Sequence, residues 1–312
     1  LRRSSAASDV YKRQPLLSIF VLFSDLPIDS RLKTVLEQKN FDSVTSVQAQ
    51  AIPHGLMGKD LLVSSKTGSG KTLAFLIPAL NRVLTQKALS KRDARVLVLA
   101  PTRELAKQVF NELLPFSRSS GLKSALLVGG ENYNDQAKAL GKNPAFVVGT
   151  PGRVADHLQG KSLFLNGLEM LILDEADRML DLGFQEQLRA INQAADHRKR
   201  QTLMFSATLH SVLVNELATE LQSSPHQIHI DASDQANDDI QQRFVFADNV
   251  SHKDNLLSHL LNSEEFEQVI VFTATRDDTA RLSELTRQWG LSGVALSGCL
   301  LYTSPSPRDL ST

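Results

Sequence analysis

The chain has 312 residues, and 42% of them are hydrophobic, which is enough to bury the core of one α/β domain and part of another. Its 34 basic side chains balance its 34 acidic ones, which excludes a global basic field and leaves a nucleic-acid partner only local contacts from loops and helix ends. The single cysteine, Cys299, excludes a disulfide framework or a cysteine-rich zinc site and favours a reducing, cytoplasmic setting. No apolar run is long enough to cross a bilayer, so we expect no membrane partner.

Short apolar runs alternate with amphipathic helical patterns along the first two thirds of the chain. The runs are β-branched and almost wholly apolar, as is typical of strands covered on both faces. They span residues 60–65, 94–102, 124–130, 145–150, 169–176, 201–208 and 226–231. This order predicts an α/β fold with a parallel sheet and helices on both faces. Ligands of such sheets bind at the carboxyl ends of the strands.

The same alternation divides the chain into domains. We expect a first domain over residues 15–231, a polar linker over 232–240 and an incomplete second domain over 241–298. The second domain shows only three apolar runs, at 241–248, 268–275 and 292–298, too few for a complete doubly wound sheet. Residues 1–14 and 299–312 share no periodicity with the interior and resemble translated adapter sequence, so we exclude them from the fold prediction.

The stretch SSKTGSGKT, residues 64–72, lies between a predicted strand and a helical pattern. It matches the phosphate-loop pattern G-x-x-x-x-G-K-[ST] except at the leading glycine, which is Ser65. Glycine amides and the helix N-terminus can face an anion there, whereas the alternative is a flexible Gly/Ser turn. The candidate nucleotide-binding residues are Ser65, Thr67, Gly68, Ser69, Gly70, Lys71 and Thr72.

Two adjacent acids, Asp174 and Glu175, follow the apolar run that ends at residue 173. A carboxylate at a strand end can hold Mg²⁺ opposite a phosphate loop, and its neighbour can take a proton from attacking water. The alternative is a solvated acidic helix start. We expect Lys71 and Asp174 to face each other across one crevice, with Thr72 and Asp174 as the metal ligands and Lys71, Asp174 and Glu175 as the catalytic residues.

Residues 174–177 read D-E-A-D, and with this motif the chain resembles the DEAD-box ATP-dependent RNA helicases of superfamily 2, of bacterial type. The family's first loop reads A-x-T-G-S-G-K-T, which accounts for Ser65. The resemblance implies two RecA-like domains, ATP and Mg²⁺ as cofactors, and coupling of ATP hydrolysis to RNA unwinding. The family's arginine-finger segment would lie beyond residue 298, so we expect this chain alone to bind ATP weakly and to unwind nothing.

The resemblance also implies an adenine-recognition element formed by Phe23, Phe41 and Gln48. The amide of Gln48 can donate to and accept from the edge of adenine, and Phe41 can pack on the base. The sequence has Asn40 where the family usually has Gly, and Asn tolerates the same left-handed backbone angles.

Three further strand-end motifs, PTRELA, GG and TPGR, offer hydroxyl, guanidinium and amide donors that suit RNA phosphate and ribose oxygens. The alternative is that they only cap helices. The resemblance assigns RNA contacts to Pro101, Thr102, Arg103, Gly129, Gly130, Thr150 and Arg153, with Thr275 in the second domain. It also implies that Ser206 and Thr208 couple to Asp177 through hydrogen bonds, where simple capping is the alternative. His54 and His157 have no partner at metal-ligand spacing, so we interpret them as packing or surface residues.

The partner implied is RNA bound through its backbone with low sequence specificity, with ribonucleoprotein partners in addition. Two other functions stay open at this point. One is an ATP-dependent RNA clamp that holds RNA without unwinding it. The other is a different phosphate-loop enzyme, such as a DNA translocase or a small-molecule kinase.

Overall fold

The computed structural model describes residues 22–66, 68–90, 92–195, 200–209, 211–230, 243–263 and 266–296. The chain divides into two compact units between Ala236 and Asn237. The predicted linker over 232–240 and the two predicted terminal tails lie outside the described residues.

The first unit is built around a parallel sheet of seven strands in the order β3-β4-β2-β5-β6-β1-β7. The strands are β1 (Leu61–Ser64), β2 (Val96–Leu99), β3 (Ser124–Leu127), β4 (Phe146–Gly149), β5 (Met170–Leu173), β6 (Gln201–Ser206) and β7 (His226–His229). Each lies within one of the seven predicted apolar runs, so the predicted RecA-like α/β fold of this unit is confirmed.

Helices follow the strands and cover the sheet. They are α1 (Ser30–Gln38), α2 (Ser46–Leu56), α3 (Lys71–Thr85), α4 (Arg103–Ser119), α5 (Tyr133–Leu140), α6 (Pro151–Gln159), α7 (Ala176–Asp181), α8 (Gln185–Ala194) and α9 (Val212–Leu221), preceded by a 3₁₀ turn at Phe23–Asp25. Several begin directly after a strand, which places their N-termini at the carboxyl edge of the sheet.

The core has one layer on each face of the sheet. In β2, Val96 and Val98 belong to one buried cluster, while Leu97 and Leu99 belong to the other. All four side chains are buried because successive strand residues point to opposite faces and both faces are covered by helices. This double burial is why the strands read as continuous apolar runs.

A buried ion pair closes the amino edge of the sheet. Arg95 Nε lies 2.6 Å from Glu169 Oε1, and Arg95 Nη2 lies 2.9 Å from Glu169 Oε2. Arg95 also donates to the carbonyl oxygens of Val83 (2.8 Å) and Gln86 (2.9 Å) at the end of α3. Such a bidentate pair with further hydrogen bonds fixes α3 against β2 and β5.

The described part of the second unit contains two helices, α10 (Val250–Ser263) and α11 (Arg276–Gln288). The prediction of three strands at 241–248, 268–275 and 292–298 is wrong for the residues that the structure describes there. None of these described residues belongs to a strand. Phe246 and Phe272 are each 91% exposed. A strand needs hydrogen-bonding neighbours and an apolar cover, and the described residues of this unit supply neither.

Over the described ranges, no helix combines the length and the apolar character that spanning a bilayer requires.

Candidate functional site

The loop between β1 and α3 has the backbone geometry of an anion cradle. Gly68 and Gly70 have φ of 84° and 89°, a left-handed conformation that favours glycine. Lys71 is the first residue of α3 and is buried, and its Nζ donates to the Ser65 carbonyl oxygen at 3.4 Å. The unpaired N–H groups of the α3 N-terminus therefore open onto the loop. Thr67, also predicted to bind nucleotide, lies outside the described residues.

Gln48 connects α2 to this loop. Its Nε2 donates to the Gly70 carbonyl oxygen at 2.9 Å, and its Oε1 accepts from Thr45 N at 2.9 Å. A Cβ at Gly70 would lie 2.6 Å from Gln48 Nε2 and 3.0 Å from Thr45 Oγ1, so only glycine fits there. The side chain predicted to recognise adenine thus holds the phosphate loop, and its contact with the base stays a prediction.

The two aromatic residues of the adenine element differ in exposure. Phe23 is 3% exposed and packs in the core, whereas Phe41 is 41% exposed and accessible to a flat ligand. Asn40, just before Phe41, has φ of 55°, so the prediction of a left-handed Asn at this position is confirmed. Phe41, rather than Phe23, is therefore the ring that a base can reach.

Asp174 lies at the end of β5, and its Oδ1 is 3.8 Å from Lys71 Nζ. The two residues predicted to face each other across one crevice do so. Asp174 is 3% exposed, and its Oδ1 accepts no hydrogen bond from the described part of the chain. Burial raises the pKa of Asp174 to about 6, while the charge of Lys71 opposes the shift and that of Glu175 adds to it. A buried carboxylate with an unsatisfied oxygen, opposite a phosphate loop, fits a divalent cation.

Thr72 lies one residue beyond Lys71, and Glu112 on α4 is a partly buried carboxylate near it. Burial raises the pKa of Glu112, and the neighbouring side chains of Thr72 and Gln108 oppose that shift. The predicted metal ligand Thr72 therefore has a carboxylate neighbour that sequence reasoning missed. Glu112 lies on a helix remote in sequence from the loop, and no motif marks it.

Glu175 has an unusual backbone. Its φ of 54° and ψ of 56° are left-handed for a residue with a side chain, which costs about 1–2 kcal/mol. It precedes α7, and its Oε2 lies 3.3 Å from Arg178 Nη1. The side chain of Glu175 is 14% exposed and that of Asp174 is 4% exposed, so Glu175 is the more accessible acid of the pair.

Asp177, on α7, contacts the end of β6. Its Oδ2 accepts from Thr208 Oγ1 at 2.9 Å, from Thr208 N at 3.1 Å and from Ala207 N at 3.1 Å. The predicted contact with Thr208 is confirmed. The predicted contact with Ser206 is wrong among the residues described, because the Ser206 hydroxyl instead accepts from Thr208 N at 3.2 Å and caps the turn.

The predicted RNA contacts follow three neighbouring strands. Thr102 follows β2 and caps α4 by accepting from Leu105 N at 3.2 Å, so the capping alternative is present there. Arg103 lies across Gly130, where a Cβ would overlap its guanidinium, and Gly130 has φ of 79°. Since β3, β4 and β2 are adjacent, the motifs that follow them lie side by side at the carboxyl edge.

The remaining candidates of this set sit at helix starts. Pro101 and Thr150 are buried before α4 and α6, and Thr150 makes no side-chain capping bond to the described residues. Arg153, in the first turn of α6, donates from Nη1 to the Glu131 carbonyl oxygen at 3.0 Å. In the second unit, Thr275 caps α11, and its Oγ1 accepts from Asp278 N at 3.1 Å.

The carboxyl edge of the first unit thus carries two groups of motifs. The phosphate loop after β1, Asp174 after β5 and Thr208 after β6 form one group, and the three predicted RNA motifs form the other. His54 packs against His226 with ring centroids 3.8 Å apart, and His157 is fully buried, so neither is a surface residue. The structure shows no cluster of metal-ligating side chains of three or more across its described ranges.

Comparison with known proteins places these motifs in a family. A family model described as DEAD/DEAH box helicase matches residues 45–216. The ATP-dependent RNA helicase SrmB of Escherichia coli is 37% identical over 276 residues, which cover 88% of this chain and 62% of SrmB. The DEAD-box ATP-dependent RNA helicase CshA of Bacillus cereus is 37% identical over 88% of this chain and 51% of CshA. This chain therefore spans about half to two thirds of the length of the curated relatives it matches.

A solved structure agrees. The crystal structure of a DEAD box protein from the hyperthermophile Methanococcus jannaschii aligns with a TM-score of 0.62 and 32% identity, covering 91% of this chain and 75% of that one. The family match includes more than half of the chain, and within it lie the phosphate loop, the strand-end acids and the three predicted RNA motifs. This chain belongs to the DEAD/DEAH box helicase family.

Proposed function

We propose that this chain is the ATP-binding and RNA-binding part of an ATP-dependent RNA helicase. The observation that carries the proposal is the buried approach of Lys71 Nζ to Asp174 Oδ1, 3.8 Å apart, between the phosphate loop and the central strand β5. The whole protein would couple ATP hydrolysis to local RNA unwinding or to remodelling of ribonucleoprotein particles. The chain spans only part of the length of its relatives, so the activity of the whole protein is proposed together with that of this chain.

The nucleotide half of the site contains three groups that can donate to or attract a phosphate. The glycine loop at Gly68 and Gly70, the N-terminus of α3 and the ammonium of Lys71 adjoin one another, which suits a triphosphate. The acceptors Asp174 and Thr72 would hold Mg²⁺ beside it. The ion, when bound, would neutralise charge on the phosphates. Asp174 must be ionised to hold the ion, and its pKa of about 6 leaves it largely ionised at neutral pH.

Glu175 is proposed as the general base. Its carboxylate adjoins the buried Asp174 but is more exposed, so water can reach it. It would accept the proton of the water that attacks the terminal phosphate. The strained backbone of Glu175 supports this role, because such strain is concentrated at functional sites.

The RNA half of the site contains charged guanidinium groups and backbone amide donors. Arg103 lies against Gly129 and Gly130, and Arg153 donates to the carbonyl oxygen of the next residue, Glu131. Guanidinium groups and glycine amides contact phosphates and do not read base edges. We therefore propose single-stranded RNA, bound through its backbone with low sequence preference, as the partner.

The nucleotide proposal is tested by titrating a fluorescent ATP analogue with Mg²⁺ against Lys71→Ala. Loss of one charge-assisted contact predicts an affinity at least about tenfold weaker. Lys59→Ala is the matched control, because this exposed lysine precedes β1 at the opposite edge of the sheet. Equal affinities of the wild type and Lys71→Ala would refute the proposed phosphate site.

The helicase proposal is tested on the full-length protein with Glu175→Gln. RNA binding should persist while RNA-stimulated ATP hydrolysis is lost. If the full-length wild type shows no RNA-stimulated hydrolysis, it is an RNA clamp. Stronger stimulation by DNA than by RNA would instead identify a DNA translocase.

A further inference from the structure

A chain of buried polar side chains lies behind the predicted RNA contacts and reaches from α5 to the end of α6. We infer that Gln136 and His157 are positioning residues that hold Arg153 and the Gly129–Gly130 loop in the shape that grips an RNA phosphate. This inference rests on the proposed function, because it assigns Arg153 a phosphate to hold. Neither Gln136 nor His157 belongs to a motif recognised in the sequence.

Gln136 is the centre of the network. It is 6% exposed, and its Nε2 donates to the Val128 carbonyl oxygen at 2.9 Å. That bond fixes the orientation of the amide, so Oε1 must face the other way. Oε1 then accepts from Arg153 Nη1 at 3.4 Å and from His157 Nε2 at 3.2 Å. One side chain therefore links the start of the glycine loop to the predicted phosphate-binding arginine.

His157 supports Gln136 from behind. Since Gln136 Oε1 can only accept, the proton of the His157 ring must lie on Nε2, and Nδ1 must accept. The Ser162 hydroxyl supplies that bond at 2.7 Å, and the ring stacks on Tyr133 with centroids 4.1 Å apart and an interplanar angle of 9°. Burial, and then the nearby charge of Arg153, lower the pKa of His157, which keeps the ring neutral.

Arg153 closes the loop on its other side. Its Nη1 also donates to the Glu131 carbonyl oxygen at 3.0 Å, and its Nε lies 3.5 Å from Asp156 Oδ2. The carbonyls of Val128 and Glu131 flank Gly129 and Gly130, so Gln136 and Arg153 together hold both ends of the glycine loop. Nη2 makes no hydrogen bond to the described residues, which leaves one edge of the rigid guanidinium for a phosphate.

If the network holds the Arg153 guanidinium in place before RNA binds, less side-chain entropy is lost on binding. A network that only packed α5 against α6 would make a different prediction. It would change the stability of the fold and leave the number of phosphate contacts unaltered. The salt dependence of RNA binding separates the two, because its slope counts the phosphates that the protein neutralises.

The experiment measures binding of a fluorescently labelled single-stranded RNA by anisotropy between about 50 and 200 mM salt. The variants are Arg153→Ala, His157→Phe, which keeps the stacking ring but removes both nitrogens, and His157→Gln, which restores a donor. Gln136→Met removes the central amide of the network and tests the same prediction if His157→Phe does not fold. His54→Phe is the matched control, because His54 also packs against a neighbouring ring but lies outside the network. Nucleotide binding by each variant reports whether the first unit is folded.

We expect Arg153→Ala to reduce the slope of log K against log salt by about 0.7, the value for one phosphate on a single strand. His157→Phe and Gln136→Met should reduce the slope in the same direction and weaken binding about threefold to tenfold. His157→Gln should recover most of that loss, and His54→Phe should match the wild type. Combining His157→Phe with Arg153→Ala should add little to Arg153→Ala alone.

Two results would overturn the inference. If Arg153→Ala reduces the slope but His157→Phe and Gln136→Met leave affinity and slope unchanged, the network does not position Arg153, and the proposed RNA function stands. If Arg153→Ala itself leaves the slope unchanged, Arg153 holds no phosphate, and the inference fails together with that part of the proposed function.

Discussion

Replacing Asp174 by Asn should make the protein more stable at neutral pH while removing its response to Mg²⁺ and nucleotide. The substitution keeps the shape and one acceptor oxygen of the side chain but removes its buried negative charge. The folded state binds a proton at Asp174 more tightly than the unfolded state, because burial raises the pKa of this carboxyl from 3.8 to about 6. Ionisation of Asp174 therefore lowers the free energy of unfolding, and the penalty grows as the pH rises through this interval.

The magnitude follows from the pKa shift. A difference of about 2 pKa units corresponds to roughly 3 kcal/mol when the group is ionised in both states. The stabilisation by Asp174→Asn should be about 3 kcal/mol near pH 7.5, about half as large near pH 5 and close to zero below about pH 4. Lys71 loses a charged partner in the variant, an effect already contained in the shifted pKa.

Urea unfolding of the wild type and Asp174→Asn at several pH values between about 5 and 7.5 measures this difference. Asp181→Asn is the matched control, because Asp181 is exposed at the end of α7. Addition of Mg²⁺ and a nucleotide should stabilise the wild type and not Asp174→Asn, since binding requires the ionised carboxylate. A variant less stable than the wild type at pH 7.5, or a difference independent of pH, would refute this reasoning.

Three further results are expected. Gly130→Ala should weaken RNA binding and leave nucleotide binding intact, because the new Cβ meets the guanidinium of Arg103 at a left-handed backbone position; equal RNA affinities in anisotropy would contradict this. Arg95→Met should destabilise the first unit by about 3–5 kcal/mol in urea unfolding, since it leaves the buried carboxylate of Glu169 unpaired, and a neutral effect would show that the carboxylate protonates instead. Thr208→Val should reduce stability by about 1–2 kcal/mol without changing nucleotide affinity, and a change in that affinity would link the α7 contact to the nucleotide site.

The sheet of the first unit could be predicted because its central strands β4, β2, β5 and β6 are buried on both faces. Residues such as Val96 and Leu97 pack into opposite core layers, so neither face leaves a polar residue to interrupt the run. Similar apolar runs in the second unit gave a wrong prediction of strands. The run around Phe272 carries no strand there and is largely exposed, because an apolar run specifies a strand only when neighbouring strands and a cover are present.

The site was predictable where residues close in sequence act together and where motifs follow strands of one sheet edge, as Lys71 and Asp174 do. The spacing of the loop glycines and Lys71 is enough to predict the conformation of the loop. The left-handed backbone of Asn40 is also a local property, because Asn tolerates positive φ. The contact of Gln48 with Gly70 was not predictable, since it joins distant segments. A hydrogen bond across the fold leaves no period or motif in the sequence.

The unfavourable features of the site are concentrated in one turn, and the sheet explains why it tolerates them. Asp174, with its buried unsatisfied oxygen, and Glu175, with its left-handed backbone, follow β5 directly. This strand pairs with β2 on one side and β6 on the other, all four of its residues are buried, and Asp174 N donates to the Leu99 carbonyl oxygen at 3.0 Å. A turn anchored on a central strand cannot relax without breaking both ladders. The strain of the two acids is therefore held by the sheet, and under the proposed function a bound cation would satisfy the buried oxygen of Asp174.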